Sequence, residues 1–309
     1  LIDLLRWIYS KVFKDKYNDF YARTICTLLI IVLTGVTSIY GIINAKIVRT
    51  TEYKITINKD GGNFKEMTIA MFGDPQFGYN IGEYHLKQAV DIINKNDVDI
   101  VCVVGDIFDN QYSAIKHPDK LIDLFNQIKS KYGMYAVLGN HDVEEPILCG
   151  FTFNDDDLEN KLASKEMLDF IKKSGMVLLY DENVIINDSV NLYGRADQER
   201  PNLGNITRKE SGDIFKEVDT TKPLFVLDHE PREYDELEKA GVDLMMAGHT
   251  HDGQLWPTKI ATDIIWENPY GLWVKNAFHA ITTSGLGLFG PNMRVGTIAE
   301  VCIIHVKFR

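Results

Sequence analysis

The amino-acid sequence predicts an α/β fold organised around a parallel β-sheet, and three observations support this prediction. Uninterrupted aliphatic runs such as Ile100–Val104 are typical of strands that are covered on both faces. Segments with a helical spacing of apolar residues, such as Glu83–Asn96, separate these runs along the chain. Several runs end directly in Gly-Asp or Gly-Asn, at the carboxyl end of a strand, where open α/β sheets place their ligands.

The first half of the chain alternates predicted strands and helices. The runs Met67–Phe72, Ile100–Val104 and Met134–Leu138 predict three strands. Helices are predicted between them, over Glu83–Asn96 and Leu121–Lys131. Strand, helix and strand within about 35 residues form a right-handed βαβ unit, so these strands should be parallel.

The second half continues with shorter elements. A helix is predicted over Leu158–Ser174, and the short strands that follow indicate an antiparallel edge or a second sheet. Two buried strands, Leu224–Leu227 and Asp243–Ala247, each lead into a histidine-containing turn. Closing strands are predicted over Ala280–Thr283 and Ile298–Val306.

The N-terminal region contains 21 consecutive residues without a charged side chain, Ile25–Ala45. At about 1.5 Å per residue, a helix of this length crosses the roughly 30 Å hydrocarbon layer of a bilayer. A cleaved signal peptide has a shorter apolar region with small residues before the cut, and Ile43 does not fit that pattern. We therefore expect a juxtamembrane segment at 1–24, a transmembrane helix at 25–45, a linker and first hairpin at 46–66, and a catalytic domain at 67–309.

Charge is divided unevenly between the N-terminal region and the body. Residues 1–46 carry six Lys/Arg and three Asp, which leaves a net charge of −14 on the rest of a chain whose total is −11. An acidic body disfavours nucleic acid as a partner, although bound divalent cations would admit an anionic substrate. Five basic residues precede the apolar segment and four follow it, a small bias towards an extracytoplasmic domain.

The polar residues at the ends of the predicted strands form a set of candidate metal ligands. They recur at five successive strand ends, at Asp74, Asp106, Asn140, His229, His249 and His251, with Gln76 as a further candidate. Two divalent ions about 3.5–4 Å apart need a bridging carboxylate, and Asp106 is the candidate bridge. The mixture of oxygen and nitrogen ligands suits Mn, Fe or Zn better than Ca.

In this order the motifs resemble the calcineurin-like metallophosphoesterase superfamily, whose pattern is Asp-x-His, Gly-Asp-x-x-Asp, Gly-Asn-His-Asp/Glu, a single His and Gly-His-x-His. The resemblance extends over Met67–His305, and the segment from Gly285 to Arg294 is similar to the bacterial membrane-associated branch. It implies a four-layer α/β/β/α sandwich of two mixed sheets. Gln76 departs from the pattern, because the family usually has histidine there. Its amide either ligates metal as a poorer donor or faces a neighbouring ligand or the substrate.

The resemblance also implies a role for each motif residue. One metal would be held by Asp74, Asp106 and His251, and the other by Asp106, Asn140, His229 and His249. His141 would protonate the leaving oxygen or stabilise the transition state. We expect Asp109 to orient Asn140 or His141 rather than to bind metal.

Together these features predict a membrane-anchored hydrolase that cleaves a phosphomonoester or phosphodiester, on a lipid-linked or envelope substrate, with a hydroxide that two metal ions activate. Arg195 and Arg294 are candidate ligands for the substrate phosphate. Two alternatives remain open. One is a phosphodiesterase of soluble nucleotides, and the other is a catalytically weak binding or sensor module, which Gln76 motivates.

Overall fold

A computed structural model describes residues 7, 11, 19–145, 147–148, 151–152, 162–200, 203–204, 208–214, 216 and 218–309. The juxtamembrane segment predicted at 1–24 lies for the most part outside these residues. The described helices are α1 (Asp19–Ala45), α2 (Glu83–Asn94), α3 (Pro118–Phe125), α4 (Lys165–Lys173), α5 (Ser211–Ile214), α6 (Tyr234–Lys239) and α7 (Thr258–Ile265). Two short 3-10 turns lie at Tyr112–Ala114 and His251–Gly253.

The strands form two six-stranded sheets and one small hairpin. In chain order they are β1 (Val48–Ile57), β2 (Glu66–Phe72), β3 (Ile100–Val104), β4 (Met134–Val137), β5 (Ile147–Leu148), β6 (Phe151–Thr152), β7 (Met176–Leu178), β8 (Glu182–Ile186), β9 (Val190–Gly194), β10 (Leu224–Leu227), β11 (Leu244–Ala247), β12 (Gly271–Lys275), β13 (Phe278–Thr282) and β14 (Ala299–Phe308). The first sheet has the order β1-β14-β2-β3-β4-β7, and the second has the order β12-β13-β11-β10-β9-β8. The strands β5 and β6 pair with each other.

Side-chain burial shows why the central strands read as uninterrupted aliphatic runs. In β2, Ile69 and Met71 pack into a core shared with the second sheet, while Ala70 and Phe72 pack under the helices of the opposite face. All four side chains are fully buried. A strand covered on both faces has no position for a polar side chain, so the alternation typical of an exposed sheet is lost.

Three apolar layers hold the elements together. One lies between the first sheet and the helices α2, α3 and α4, a second lies between the two sheets, and a third lies between the second sheet and the helices α5 and α6. This is the four-layer α/β/β/α sandwich that the sequence predicts. Both sheets are mixed, since β14 runs antiparallel to β2 and β12 runs antiparallel to β13.

The inner strands of each sheet run parallel and therefore end together. In the first sheet β2, β3, β4 and β7 are parallel, and in the second β9, β10, β11 and β13 are parallel. Because parallel strands present their carboxyl ends at one edge, the loops that follow them are brought side by side.

The segment at 46–66 differs from the linker and hairpin predicted there. Strand β1 does not fold back on β2 but pairs in parallel with β14, in a ten-residue register from Val48 opposite Ala299 to Ile57 opposite Phe308. The turn signal at Asp60-Gly61-Gly62 is present, but β14 lies between the two strands that it connects. The position of β14 between β1 and β2 depends on tertiary structure and could not be predicted from the local sequence.

Helix α1 contains the predicted span. Residues Thr24–Ala45 are long and apolar enough to cross a membrane, and 6% of the most apolar stretch is buried. The carboxyl end of the helix is attached to the body, because Nδ2 of Asn44 donates hydrogen bonds to the carbonyls of Arg294 at 3.1 Å and Thr297 at 2.9 Å.

Candidate metal centre

Five loops meet where the carboxyl ends of the two sheets face each other. The loops after β2, β3 and β4 bring residues of the first sheet, and the loops after β10 and β11 bring residues of the second. The side chains that these loops contribute are those of Asp74, Gln76, Asp106, Asn140, His229, His249 and His251. The set predicted from the sequence is therefore gathered at one place in the fold.

Several of these residues have a left-handed backbone conformation. The φ angles are +50° at Asp74, +51° at Asp106 and +71° at His249. Such conformations cost about 1–3 kcal/mol each for residues with a side chain and are retained where the surroundings over-determine them, as they do at functional sites. Here the turn directly after each strand aims the side chain inward across the edge of the sheet.

Two glycines make room for the carboxylates. A Cβ atom at Gly139 would lie 2.3 Å from Oδ1 of Asp106, and one at Gly248 would lie 2.4 Å from Oδ2 of Asp74. Both distances are shorter than non-bonded atoms allow, so the Gly-Asn and Gly-His turns need glycine for the close approach of a functional side chain.

Asp106 is the central carboxylate of the group. Its Oδ1 accepts the backbone N–H of His141 at 2.8 Å and lies 3.3 Å from Nε2 of His229. Its Oδ2 accepts Nε2 of Gln76 at 3.3 Å. Asp106 therefore reaches across from the first sheet to a histidine of the second.

Three candidate ligand atoms, from Asn140, His229 and His249, lie close to one another beside Asp106. Oδ1 of Asn140 lies 3.1 Å from Nε2 of His229 and 3.2 Å from Nδ1 of His249, and these two nitrogens are 3.2 Å apart. The other nitrogen of His229 lies 2.9 Å from the carbonyl of Val104. If Nδ1 donates its proton to that carbonyl, the lone pair of Nε2 points into the group, as a metal ligand requires.

Asp74 and His251 complete the group of candidate ligands. The carboxylate of Asp74 accepts the backbone N–H of His249 at 2.9 and 3.1 Å. Nε2 of His251 is 3.7 Å from Oδ1 of Asp74. That nitrogen and Oε1 of Gln76 are buried without a hydrogen-bond partner among the described residues.

These features fit divalent metal ions. Ligand atoms of Asp74, Asp106 and His229 lie within 4.8 Å of one another, and all three residues are buried. Buried carboxylates without a cation and buried polar atoms without a partner are both costly in an apolar interior. A divalent cation would compensate both, and the mixture of carboxylate, amide and imidazole is a donor set for Mn, Fe or Zn.

Burial and mutual charge separate the pKa values of these groups. Burial raises the pKa of Asp74 to about 7, and Asp106 adds to this while His229 opposes it. Burial would also raise the pKa of Asp106, but His229 and His141 outweigh it and lower that pKa well below its usual range. Burial and His229 lower the pKa of His249 to about 3. Asp106 is thus ionised and His249 neutral at physiological pH, the protonation states in which each side chain binds metal.

His141 lies at the margin of the centre and is half-buried. Its Nδ1 is hydrogen-bonded to Oδ1 of Asn110, and its ring packs edge-on against Phe289 with centroids 5.5 Å apart. The role predicted for Asp109, to orient Asn140 or His141, stays a prediction. Burial raises the pKa of Asp109, while His141 opposes the shift.

Asn110 is a site residue that sequence reasoning missed. It follows Asp109 directly and has a left-handed φ of +55°. Asparagine is one of the few residues that adopts this conformation readily, which is the signal that the sequence offered. Asp142 is the last residue of the Gly-Asn-His-Asp turn after β4. Its carboxylate accepts the backbone N–H groups of Phe108 at 2.9 Å and Gly139 at 2.8 Å, and so links two of the loops.

The structure argues against the substrate contacts predicted for Arg195 and Arg294. Their exposed fractions are 1% and 0%. Arg195 pairs with the carboxylates of Asp228 at 3.1 Å and Glu233 at 2.9 Å. Arg294 donates to the carbonyls of Ser284 at 2.6 Å and Gly287 at 2.8 Å. It also donates to the carbonyl of His251 at 3.3 Å. Both guanidinium groups are thus bonded to groups of the protein itself.

Aromatic side chains that the sequence analysis did not single out line the centre. The rings of Trp266 and His249 lie 5.1 Å apart, and Phe289 contacts His141. Glu199 and Glu230 bring carboxylate oxygens within 4.8 Å of a ring nitrogen of His249. The surroundings of the centre are therefore partly aromatic and partly acidic.

Comparison with known proteins agrees with this geometry. The model of the family described as calcineurin-like phosphoesterase matches residues 67–253, more than half of the chain. The metallophosphoesterase Cj0846 of Campylobacter jejuni is 27% identical over 296 residues, which cover 95% of this chain and 73% of that protein. A metallophosphoesterase of Aquifex aeolicus is 28% identical over 284 residues, with coverage of 91% and 98%.

A vertebrate relative is named for a membrane segment. The transmembrane protein with metallophosphoesterase domain of Danio rerio is 25% identical over 292 residues, which cover 91% of this chain and 62% of that protein. This chain therefore spans less than two thirds of that relative. From the family match and from the buried Asp-His group, we conclude that the chain belongs to the calcineurin-like phosphoesterase family and is a hydrolase of phosphoester bonds.

Proposed function

We propose that this chain hydrolyses a phosphoester with two divalent metal ions held between the carboxyl ends of its two sheets. The observation that carries the proposal is the position of Asp106, whose Oδ1 lies 3.3 Å from Nε2 of His229 although the two residues follow strands of different sheets. One ion would be held by Asp74, Asp106 and His251, with Gln76 beside them. The other would be held by Asp106, Asn140, His229 and His249.

Each residue of the centre has a task that its contacts support. Two ions, when bound, would lower the pKa of a water molecule between them and neutralise charge on the phosphoryl oxygens. Asp106 is ionised and fixed by the N–H of His141, so it can serve both positions. His141 is half-buried at the margin, where its ring can give a proton to the leaving oxygen. Asn110 fixes the orientation of that ring.

We further propose that α1 anchors the catalytic domain in a membrane, on the extracytoplasmic side, and that the substrate is lipid-linked or part of the envelope. The length and apolar composition of Thr24–Ala45 support the anchor. The small excess of basic residues before the span supports the orientation. The aromatic walls formed by Trp266 and Phe289 support a substrate whose phosphoester bears an organic group.

Metal content and turnover, measured on the same preparations, test the dinuclear centre. The wild-type chain in detergent should bind two ions of Mn, Fe or Zn and hydrolyse a generic aryl phosphodiester. Asp106→Asn should lower turnover by about a hundredfold or more, because it removes a ligand shared by both positions. Asp91→Asn is the matched control, since the Asp91 side chain is 57% exposed on α2.

Two results would contradict the proposal. If wild-type protein bound one ion or none and showed no turnover with Mn, Zn and Fe alike, a binding or sensor module would be favoured. If Asp106→Asn kept the turnover of the wild type, the centre would have been placed at the wrong residues.

A further inference from the structure

Helix α7 carries its apolar side chains on the outside of the molecule. Ile260, Ile264 and Ile265 are 53%, 80% and 68% exposed, and no residue of the helix is buried. Together with the exposed Ala261, they share one face of the helix, because their spacing follows the helical repeat. We call this surface, formed by Ile260, Ala261, Ile264 and Ile265, the α7 face.

Two polar side chains at the start of α7 join the helix to the turn that precedes it. The ammonium group of Lys259 pairs with the carboxylate of Asp252, whose side chain is 7% exposed. The hydroxyl of Thr258 donates to the carbonyl of Gly253. A surface helix in water normally buries its apolar stripe and exposes its polar one. In α7 the apolar stripe is exposed, and the contacts with the turn at 252–253 that position the helix are made by polar side chains.

Trp256 is a further exposed apolar side chain, two residues before α7 begins. Its side chain is 67% exposed, while its backbone N–H donates to the carbonyl of Val295 at 2.8 Å and so fixes its position. Single exposed apolar residues are normal on a soluble protein, but a contiguous patch marks a surface that meets another apolar phase. Tryptophan is the residue most typical of the boundary between lipid and water.

Trp256 is connected to the end of helix α1 through Val295. Val295 contacts Trp256 from one side and Gly41 from the other, since a Cβ atom at Gly41 would lie 3.0 Å from Cγ2 of Val295. The backbone N–H of Arg294 donates to the carbonyl of Gly41 at 3.0 Å. Gly41 is one helical turn before Ala45, where the candidate span ends. One short loop thus separates Trp256 from the place where α1 would leave the bilayer.

We propose that the α7 face and Trp256 dock into the interfacial layer of the bilayer that α1 crosses, so that the metal centre acts on a phosphoester carried by a lipid. The bilayer is the favoured occupant because one short loop connects Trp256 to the carboxyl end of α1, whose exposed side chains are apolar, so that both can meet one apolar phase. The inference rests on the proposed anchor and deepens the proposed function.

The position of α7 in the chain connects this surface to the chemistry. The helix begins shortly after the turn His251–Gly253 and ends at Trp266, whose ring contacts His249. A phosphoester bound at the centre would therefore have α7 beside it. The substrate class that fits is a phosphoester with an acyl or prenyl chain, whose headgroup enters the centre while the chain stays in the lipid.

Fluorescence quenching of the full chain in vesicles of phosphatidylcholine and phosphatidylglycerol tests the docking. Ile264→Cys is labelled with an environment-sensitive fluorophore, and Ile185→Cys is the matched control, because Ile185 is 50% exposed on β8 at the far edge of the second sheet. The labelled parent chain gives the background from the native cysteines. The label at 264 should be quenched by spin-labelled lipid and protected severalfold from aqueous iodide, and the label at 185 should show the reverse.

A second substitution shows whether the apolar face causes the effect. Ile260→Glu, added to the labelled Ile264→Cys chain, should weaken the lipid quenching severalfold, whereas Ile185→Glu should leave it unchanged. The thermal unfolding midpoint should not move in either case, since both side chains are exposed.

Two outcomes would overturn the inference. In one, iodide reaches the label at 264 as easily as the label at 185. In the other, the label at 264 is protected from iodide but not quenched by lipid, which would mean that a second copy or another protein covers the face. Neither result depends on turnover, so a failure of the proposed hydrolysis with an aryl phosphodiester would be seen separately.

Discussion

Gln76 places an amide side chain beside Asp106, two residues after Asp74. Its Nε2 donates to Asp106 at 3.3 Å, and its Oε1 is buried without a hydrogen-bond partner among the described residues. The contact with Asp106 thus orients the amide and leaves its oxygen available to bind a metal ion. An amide oxygen is a weaker ligand for Mn, Fe or Zn than an imidazole nitrogen.

Gln76→His should therefore raise the affinity for the more weakly held metal ion, by about tenfold. Competition with a calibrated chelator measures this, and Gln127→His, an exposed glutamine at the end of α3, is the control. If the affinity of Gln76→His equals that of the wild type, residue 76 does not face an ion.

We expect Asn110 to act through His141, which it contacts, rather than on the substrate, and its replacement by aspartate tests this expectation. Asn110→Asp keeps a side chain that tolerates the left-handed φ and places a carboxylate against Nδ1 of His141. A negative charge there favours the protonated imidazole. A general acid works only while protonated, so activity at high pH should be lost at a higher pH than in the wild type.

The pH–rate profile of kcat checks this expectation. Asn126→Asp, at an asparagine whose amide bonds to the carbonyl of Lys173 far from the centre, should leave the profile unchanged. An alkaline limb that stays in place in Asn110→Asp would remove His141 from the role of general acid.

At the scale of elements, a buried ion-pair network joins the end of β10 to the start of α6. Asp228 is fully buried between Arg195 at 3.1 Å and Arg208 at 2.6 Å, and Glu233 completes the network. Burial would raise the pKa of Asp228, but Arg208 and Arg195 outweigh it and lower that pKa. Asp228 precedes His229 in the chain, so this network also sets the position of a candidate metal ligand.

Asp228→Asn should lower the free energy of unfolding by about 3 kcal/mol at neutral pH, because it leaves two buried guanidinium groups without their main partner. A carboxyl whose pKa is lowered by folding stabilises the protein above its unfolded pKa of about 4 and loses this contribution as the pH falls through the folded pKa. The difference from the wild type should therefore be constant near neutrality and shrink below about pH 4.

Denaturant titrations of the metal-free protein over this pH range measure the effect. Asp235→Asn is the control, since the Asp235 side chain is 56% exposed. If the difference in the free energy of unfolding does not change with pH, the charge of Asp228 does not contribute to stability, and side-chain packing explains the loss.

At the scale of the whole molecule, the loop 293–297 is one of the places where the catalytic body contacts α1, and His85 of α2, whose Nε2 lies 3.1 Å from the carbonyl of Ala45, is another. Gly41 allows the loop 293–297 to approach the helix. A Cβ atom added at Gly41 would lie 3.0 Å from Cγ2 of Val295 and 3.1 Å from Cβ of Met293. The same loop carries Arg294, which donates to the carbonyl of His251 at 3.3 Å. Helix α1 and the candidate metal centre therefore contact the same loop.

Gly41→Leu should push this loop away from α1, whereas Gly35→Leu should not, because a Cβ at Gly35 meets nothing within 4 Å. Both changes gain similar helix propensity, so the pair isolates the contact. Amide hydrogen exchange at 293–297 should become about tenfold faster in Gly41→Leu alone, as expected for a loss of about 1.4 kcal/mol of local stability. Equal exchange in the two variants would show that the loop does not depend on α1.

The sequence alone carried enough information for the α/β class, the family and the convergence of five loops. Each of these depends on a local pattern, an apolar strand followed directly by a turn with a polar side chain, and the parallel strands of each sheet bring the turns of that sheet to one edge. Asp74, Asp106 and Asn140 illustrate this, since each lies within two or three residues of its strand.

What depended on partners distant in sequence was decided only by the tertiary structure. The pairing of β1 with β14, the burial of Arg195 and Arg294, the contact of Asn110 with His141 and the outward apolar face of α7 all follow from which elements meet. Periodicity reports that a face is apolar or that a residue is charged. It does not report which segment covers the face or which group pairs with the charged side chain, because both are set by the packing of segments that are remote along the chain.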